Sequence, residues 1–112
     1  MIKKLIKTCK RALENYGWQE QFSQKIEESC ELNVELSHAK RKDRTANVEK
    51  IKQEVIHDLI VNIQVCLTVF TSTTEFKKHL YKELERLDKR LDLQDVKPKN
   101  TREAYLKDVL GE

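Results

Sequence analysis

Two glycines (Gly17, Gly111) and one proline (Pro98) in 112 residues leave this chain almost no means of reversing a strand. Hairpin and sandwich turns draw on Gly, Pro, Asn and Asp for backbone conformations that other residues resist, so an all-β fold is close to excluded. A glycine-rich phosphate loop is excluded outright, because no two glycines are neighbours. Helices need neither residue. With 38% hydrophobic and 37% charged residues, the composition fits one small helical domain with amphipathic surfaces. Domains of this size often complete their core by association.

The hydrophobic spacing predicts four helices and a tail. The first covers residues 2–15, with Ile2, Leu5, Ile6, Cys9 and Leu13 on one side, and stops at Tyr16-Gly17. The second runs from Trp18 to Arg41, followed by a polar turn, Lys42 to Ala46. The third runs from Asn47 to Phe70 and the fourth to Leu93, its start marked by the capping pair Ser72 and Glu75. Phe76, Leu80, Leu84, Leu87 and Leu91 form the amphipathic stripe of the fourth helix. Pro98 marks a linker, and Asn100 with Glu103 caps a last short helix through Leu110. The expected fold is all-α, an antiparallel helical bundle of about four helices completed by oligomerisation. The bundle domain spans 1–95 and the C-terminal tail 96–112.

The net charge of +3 is too small to argue for nucleic acid. Its distribution is more informative, because an acidic block at 15–36 sits between basic blocks at 1–14 and 37–50. Three separated cysteines with no Cys-x-x-Cys pair fit reduced thiols rather than zinc. The longest near-apolar stretch, Leu59 to Phe70, is too short to span a bilayer. The early lysines rule out a signal-peptide core, so the expected location is cytoplasmic, with no membrane partner.

Two helices carry charges that solvent alone does not explain. At about 100° per residue, Glu20, Glu27, Glu28, Glu31 and Glu35 share one face of the second helix, with no Lys or Arg among them. Like charges at this spacing cost about 0.2–0.5 kcal/mol per pair. The third helix is apolar almost all the way round from Ile51 to Phe70, the mark of a buried element. Its polar stripe holds Lys50, Gln53, His57, Gln64 and Thr68. Glu54, Asp58 and Asn62 lie on a different face, among Ile51, Val55, Val65 and Val69. Buried carboxylates one turn apart require a compensating cation. No Lys or Arg of that helix lies nearby, so the partner surface falls to the second helix and its acids. Carboxylates facing carboxylates suit a hard divalent ion, Mg²⁺ or Mn²⁺, better than zinc. His38, His57 and His79 have no metal-ligand partner at four-residue spacing and are assigned no chemistry. Tyr16 and Trp18 read as a cap on the core.

The run Gln21 to Leu32, with Glu27-Glu28-Ser29-Cys30-Glu31-Leu32 at its end, resembles the Glu-Glu-x-x-Glu-Leu motif of MazG-like, all-α nucleoside triphosphate pyrophosphohydrolases. That family pairs it with a helix carrying Glu-x-x-Asp, matched here by Gln53 to Ile60. Lys82 to Leu87 resembles the closing helix of its small members, so the likeness covers residues 15–91. The resemblance implies a homodimer or tetramer that binds Mg²⁺, or Mn²⁺, through the motif acids. Such an enzyme cleaves a nucleoside triphosphate to monophosphate and pyrophosphate. Carried over, Glu28, Glu31 and Asp58 match metal ligands, and Glu27 matches the acid beside them that holds either a further metal or the attacking water, which it orients or deprotonates. The chain departs at Val55, where the family has its glutamate, while Glu54 stands four residues before Asp58. Either Glu54 substitutes with a shifted metal, or water fills the gap, or activity is weak or absent. The last case would leave a MazG-fold module for assembly or nucleotide sensing. Asn62 and Gln21 are substrate-binding candidates. Phosphate-binding cations come from Lys97, Lys99 and Arg102 on the tail, or from Lys40, Arg41, Lys42 and Arg44 near the turn.

Overall fold

The computed structural model describes residues 1–41, 47–94 and 101–111 of the protein. Within them the chain forms four α-helices and no strand: α1 (Ile2–Lys40), α2 (Val48–Val69), α3 (Thr73–Asp92) and α4 (Thr101–Leu110). The chain is therefore all-α, as its composition implies. The expected turn at 42–46, the Pro98 linker and the Asn100 cap lie outside the described residues.

The first two expected helices form one element, α1, broken at Gly17. Its φ of 82° and ψ of 163° fall in a region that is nearly closed to residues with a Cβ. The break has a tertiary consequence. Cys9 Sγ lies 3.9 Å from the Ile60 carbonyl oxygen in α2, and Lys25 reaches Asp58, only two residues away. In an unbroken helix Cys9 and Lys25 would stand about 24 Å apart. The arm 2–16 therefore turns back at Gly17 and lies beside the rest of α1 and α2. Burial there pushes the Cys9 thiol pKa up. Gly17→Ala should lower the melting temperature through about 1–3 kcal/mol of backbone strain, followed by circular dichroism. Unchanged stability would mean that the arm does not need this break.

The arm 18–40 and α2 run antiparallel. Glu35 meets Lys50, Glu28 meets His57, and Lys25 meets Asp58, an order that reverses along the two helices. Local chemistry starts the next helices where the sequence predicts. The Asn47 side chain accepts from the Lys50 amide, and the Ser72 hydroxyl accepts from the Glu75 amide.

Nearly all tertiary packing among the described residues lies between α1 and α2; α3 and α4 touch the pair only marginally. Ile51 and Val61 of α2 are buried against α1, whereas Val55, Ile56 and Leu59 remain about half exposed on its other side. At the end of α2 the chain bends by 115° into α3. The Phe70 and Phe76 rings meet edge-on at 5.3 Å across this corner. No residue of α3 is buried, and its whole stripe from Phe76 to Leu91 is exposed. The radius of gyration, 17.4 Å, is well above the value of about 13 Å for a compact chain of this length. Within one chain the antiparallel arrangement is thus confined to α1 and α2. No single helix among the described residues is long and apolar enough to cross a membrane.

Candidate metal centre between α1 and α2

The seam between α1 and α2 is polar at its most buried positions. Beside Cys9, Ile51 and Val61 it buries Gln21, Glu35, Glu54 and Gln64. Buried polar groups normally find partners, and each exception calls for an explanation. Glu35 has one, since Lys50 Nζ lies 3.4 Å from its carboxylate. Four oxygens have none: Gln21 Oε1, Glu28 Oε2, Glu54 Oε2 and Gln64 Oε1.

Asp58 does face α1, but its counter-charge there is a lysine. Lys25 Nζ donates to Asp58 Oδ1 at 2.7 Å, and Ser29 Oγ donates to the same oxygen at 3.0 Å. The Lys25 hydrogen bond, helped by Ser29 and by the lysine charge, holds the Asp58 carboxyl below its ordinary range against the opposing effect of burial. Around α1, Lys25 falls on the apolar arc, and its long stem crosses that surface to bring the ammonium to the seam. The cation that the sequence reading requires for Asp58 is therefore Lys25 of α1.

This pair makes a pH-dependent contribution. Because the folded Asp58 pKa is depressed, the stabilisation is fully present above the unfolded aspartate value of about 3.9. It is lost as pH falls through the folded value. Lys25→Met should destabilise the protein at pH 7 by about 1–3 kcal/mol, between the values for exposed and fully buried pairs. It should also flatten the acid limb of stability against pH, measured by urea unfolding. An unaltered acid limb would mean that the pair contributes nothing.

On the other flank of the seam three side chains converge. Glu28 of α1 and Glu54 and His57 of α2 each offer a ligand atom within 4.8 Å of the other two. His57 Nδ1 stands 3.8 Å from Glu28 Oε2. Glu54 is 6% exposed, and the Glu28 side chain 16%. His57 is half exposed and forms the outer wall. A cleft of about 180 Å³ opens here, lined by Gln24, Glu28, His57, Ile60, Val61 and Gln64. Among the described residues, Lys25 and Lys50 reach the seam, and they are engaged with Asp58 and Glu35.

Sequence reasoning sets His57 aside as a solvent-facing residue with no partner four positions away. The spacing that matters is three, from Glu54 to His57, which also places two side chains on one helical face. Of the expected ligands, the structure brings Glu28 and Glu54 together. Asp58 lies on the opposite flank, bound to Lys25, and Glu31 is exposed one turn along from Glu28. Glu27 is exposed and lines a separate cleft of about 360 Å³ with Tyr16, Glu20, Gln21, Ser23 and Gln24. Asn62 is exposed, whereas Gln21 is 1% exposed and walled into the seam. Arg102 is exposed on α4, away from the main packing; Lys97 and Lys99 lie outside the described residues.

Another concavity, about 540 Å³, belongs to the arm 2–16 and is lined by four cations, Lys3, Lys7, Lys10 and Arg11, among others. It holds none of the converging carboxylates. No family model matches the chain, and comparisons with curated proteins and with solved structures give no match either.

Proposed function

We propose that the protein is a divalent-metal-dependent nucleoside triphosphate pyrophosphohydrolase of the MazG-like kind, releasing a nucleoside monophosphate and pyrophosphate. The observation that supports this most is the pair Glu28 and Glu54, two sequestered carboxylates with oxygens that no protein donor meets. Such oxygens fit a divalent cation, because an uncompensated buried carboxylate is costly. Glu28 and Glu54 would hold Mg²⁺ or Mn²⁺, with Glu31 extending the set at the solvent edge. Asp58 could join only if Lys25 and Ser29 released it. The ion, when bound, supplies positive charge to the phosphate oxygens and to the leaving pyrophosphate.

The remaining roles belong to the chain's own side chains. Glu27, exposed one residue from Glu28 but in the neighbouring cleft, would be the base that accepts a proton from the attacking water. Asn62 and Arg102 are the exposed candidates for contacts with base, sugar or phosphate, and Gln21 backs the cleft beside Glu27. The cleft at Glu28 and His57, about 180 Å³, is smaller than the roughly 300–1,000 Å³ that organic ligands occupy. A nucleotide would extend beyond it, onto a second copy of the chain in a homodimer or tetramer.

A second reading is favoured by the Lys25–Asp58 pair. It fixes one motif acid without a metal, as a catalytically inactive assembly or nucleotide-sensing module would. Pyrophosphate release from a panel of standard and modified nucleoside triphosphates, with Mg²⁺ and with Mn²⁺, separates the two. The enzyme reading expects turnover that falls about 10²–10⁴-fold in Glu27→Gln. No release from any nucleotide with either ion would leave the inactive module.

A further inference from the structure

The register of the second motif points to a cation that sequence reasoning does not select. Glu54 and His57 are three residues apart on α2, and both meet Glu28 across the seam. Glu54 is more than nine-tenths buried, and its Oε2, like Glu28 Oε2, has no hydrogen-bond partner. We propose that Glu28, Glu54 and His57 form a mixed nitrogen–oxygen site for a first-row transition ion, Mn²⁺, Co²⁺ or Zn²⁺, in preference to Mg²⁺. This deepens the metal-dependent reading above by naming a third ligand and the class of ion, but the binding it claims needs no nucleotide.

The spacing fits such an ion. Donors at about 2.0–2.2 Å from a shared cation stand roughly 3–4.4 Å from one another in tetrahedral or octahedral geometry. The 3.8 Å between His57 Nδ1 and Glu28 Oε2 is within that range, and the limit of 4.8 Å on the remaining pairs is within a small side-chain adjustment of it. The donor set decides the ion. Mg²⁺ keeps to oxygen and holds its own waters, whereas imidazole favours later divalent ions. The half-exposed His57 leaves one side of the ion open to water or a ligand oxygen, while the buried Glu54 anchors the other. One glutamate from one helix with Glu-x-x-His from its antiparallel neighbour is also a way in which helix bundles present carboxylate and imidazole to metals.

The test uses the full chain without nucleotide. Co²⁺ and Mg²⁺ affinities are measured by calorimetry, with the Co²⁺ visible spectrum as a second readout. Wild type should bind Co²⁺ at least about tenfold more tightly than Mg²⁺. His57→Gln should weaken Co²⁺ by at least about tenfold, the least that losing even an outer partner of a ligand tends to cause. His79→Gln, a change on α3, should leave Co²⁺ binding unaltered. Mn²⁺ should broaden the wild-type imidazole resonance that His57→Gln removes, a readout that does not depend on how any variant folds. Equal affinity for Co²⁺ and Mg²⁺, or unchanged Co²⁺ binding in His57→Gln, would overturn the proposal. Tight Co²⁺ binding with no nucleotide turnover would uphold this site and remove the hydrolase reading. Mg²⁺-supported turnover that ignores His57→Gln would do the reverse.

Discussion

In EDTA, Glu54→Gln is expected to melt above the wild-type protein, and in millimolar Mn²⁺ below it. The first half follows from Coulomb's law. The Glu28 and Glu54 carboxylates approach within 4.8 Å, and among the described residues no lysine or arginine pairs with them; the His57 imidazole stands 3.8 Å from Glu28. At an effective dielectric near 20 their repulsion is about 3.5 kcal/mol, reduced where solvent reaches Glu28. The substitution removes one of the two charges and offers an amide donor to Glu28. A gain of about 1–3 kcal/mol, or roughly 4–12 °C in a chain of this size, is the expected result. The second half is linkage. An ion at a thousand times its Kd stabilises wild type by about 4.1 kcal/mol, more than the amide gains, and the variant has lost a ligand. An inversion of rank order with metal is what a binding site produces and a structural buried acid does not. A variant that melts lower under both conditions would show that Glu54 is satisfied within the fold, and the metal centre would fall with it.

The cap at Ser72, the stop at Gly17 and the stripe of α3 are set by residues within a few turns of each other, so they are legible in the sequence. The candidate metal centre is only partly legible, for a geometric reason. A helical wheel orders side chains around an axis but does not locate the neighbouring axis. Around α2, Glu54 lies between Asp58 on one flank and His57 on the other, and α1 packs over Glu54. Asp58 therefore meets Lys25 and Ser29, while His57 meets Glu28. The wheel groups Glu54 with Asp58 because it treats the apolar surround as the buried face. In the fold part of that surround, including Val55, is uncovered. The Glu54-x-x-His57 spacing is the available signal, and it also accounts for Val55, which lies outside the converging set. Lys25 is hidden by its own chemistry, as a cation whose aliphatic stem shares an arc with Leu32 and Leu36.

At tens of micromolar the chain is expected to run at twice its mass of 13.3 kDa or more in light scattering, and Leu84→Lys with Leu87→Lys is expected to return it to a monomer. A compact protein of this mass exposes about 6,500 Å², and this chain exposes 9760 Å². The difference exceeds the 1,000–2,500 Å² or so that each chain of an obligate homodimer buries. The excess has a location. α3 carries Phe76, Leu80, Leu84, Leu87 and Leu91 in a line at spacings of four and three, all open to solvent, and the outer face of α2 adds Val55, Ile56 and Leu59. A stripe at this spacing fits a second helix of the same kind, and a second copy supplies one. Each leucine is already half covered, so finishing its burial is worth about 0.8–1.5 kcal/mol. Four of them across two chains come to at least about 3 kcal/mol, a hundredfold in Kd before the charge of the lysines is counted. The monomeric variant also separates the two levels of the site. Glu28, Glu54 and His57 belong to one chain, so metal binding should survive, whereas a nucleotide that needs surface from a neighbour should no longer turn over. A wild-type chain that stays monomeric, or a monomeric variant with full turnover, would place the whole substrate site on α1 and α2 of a single copy.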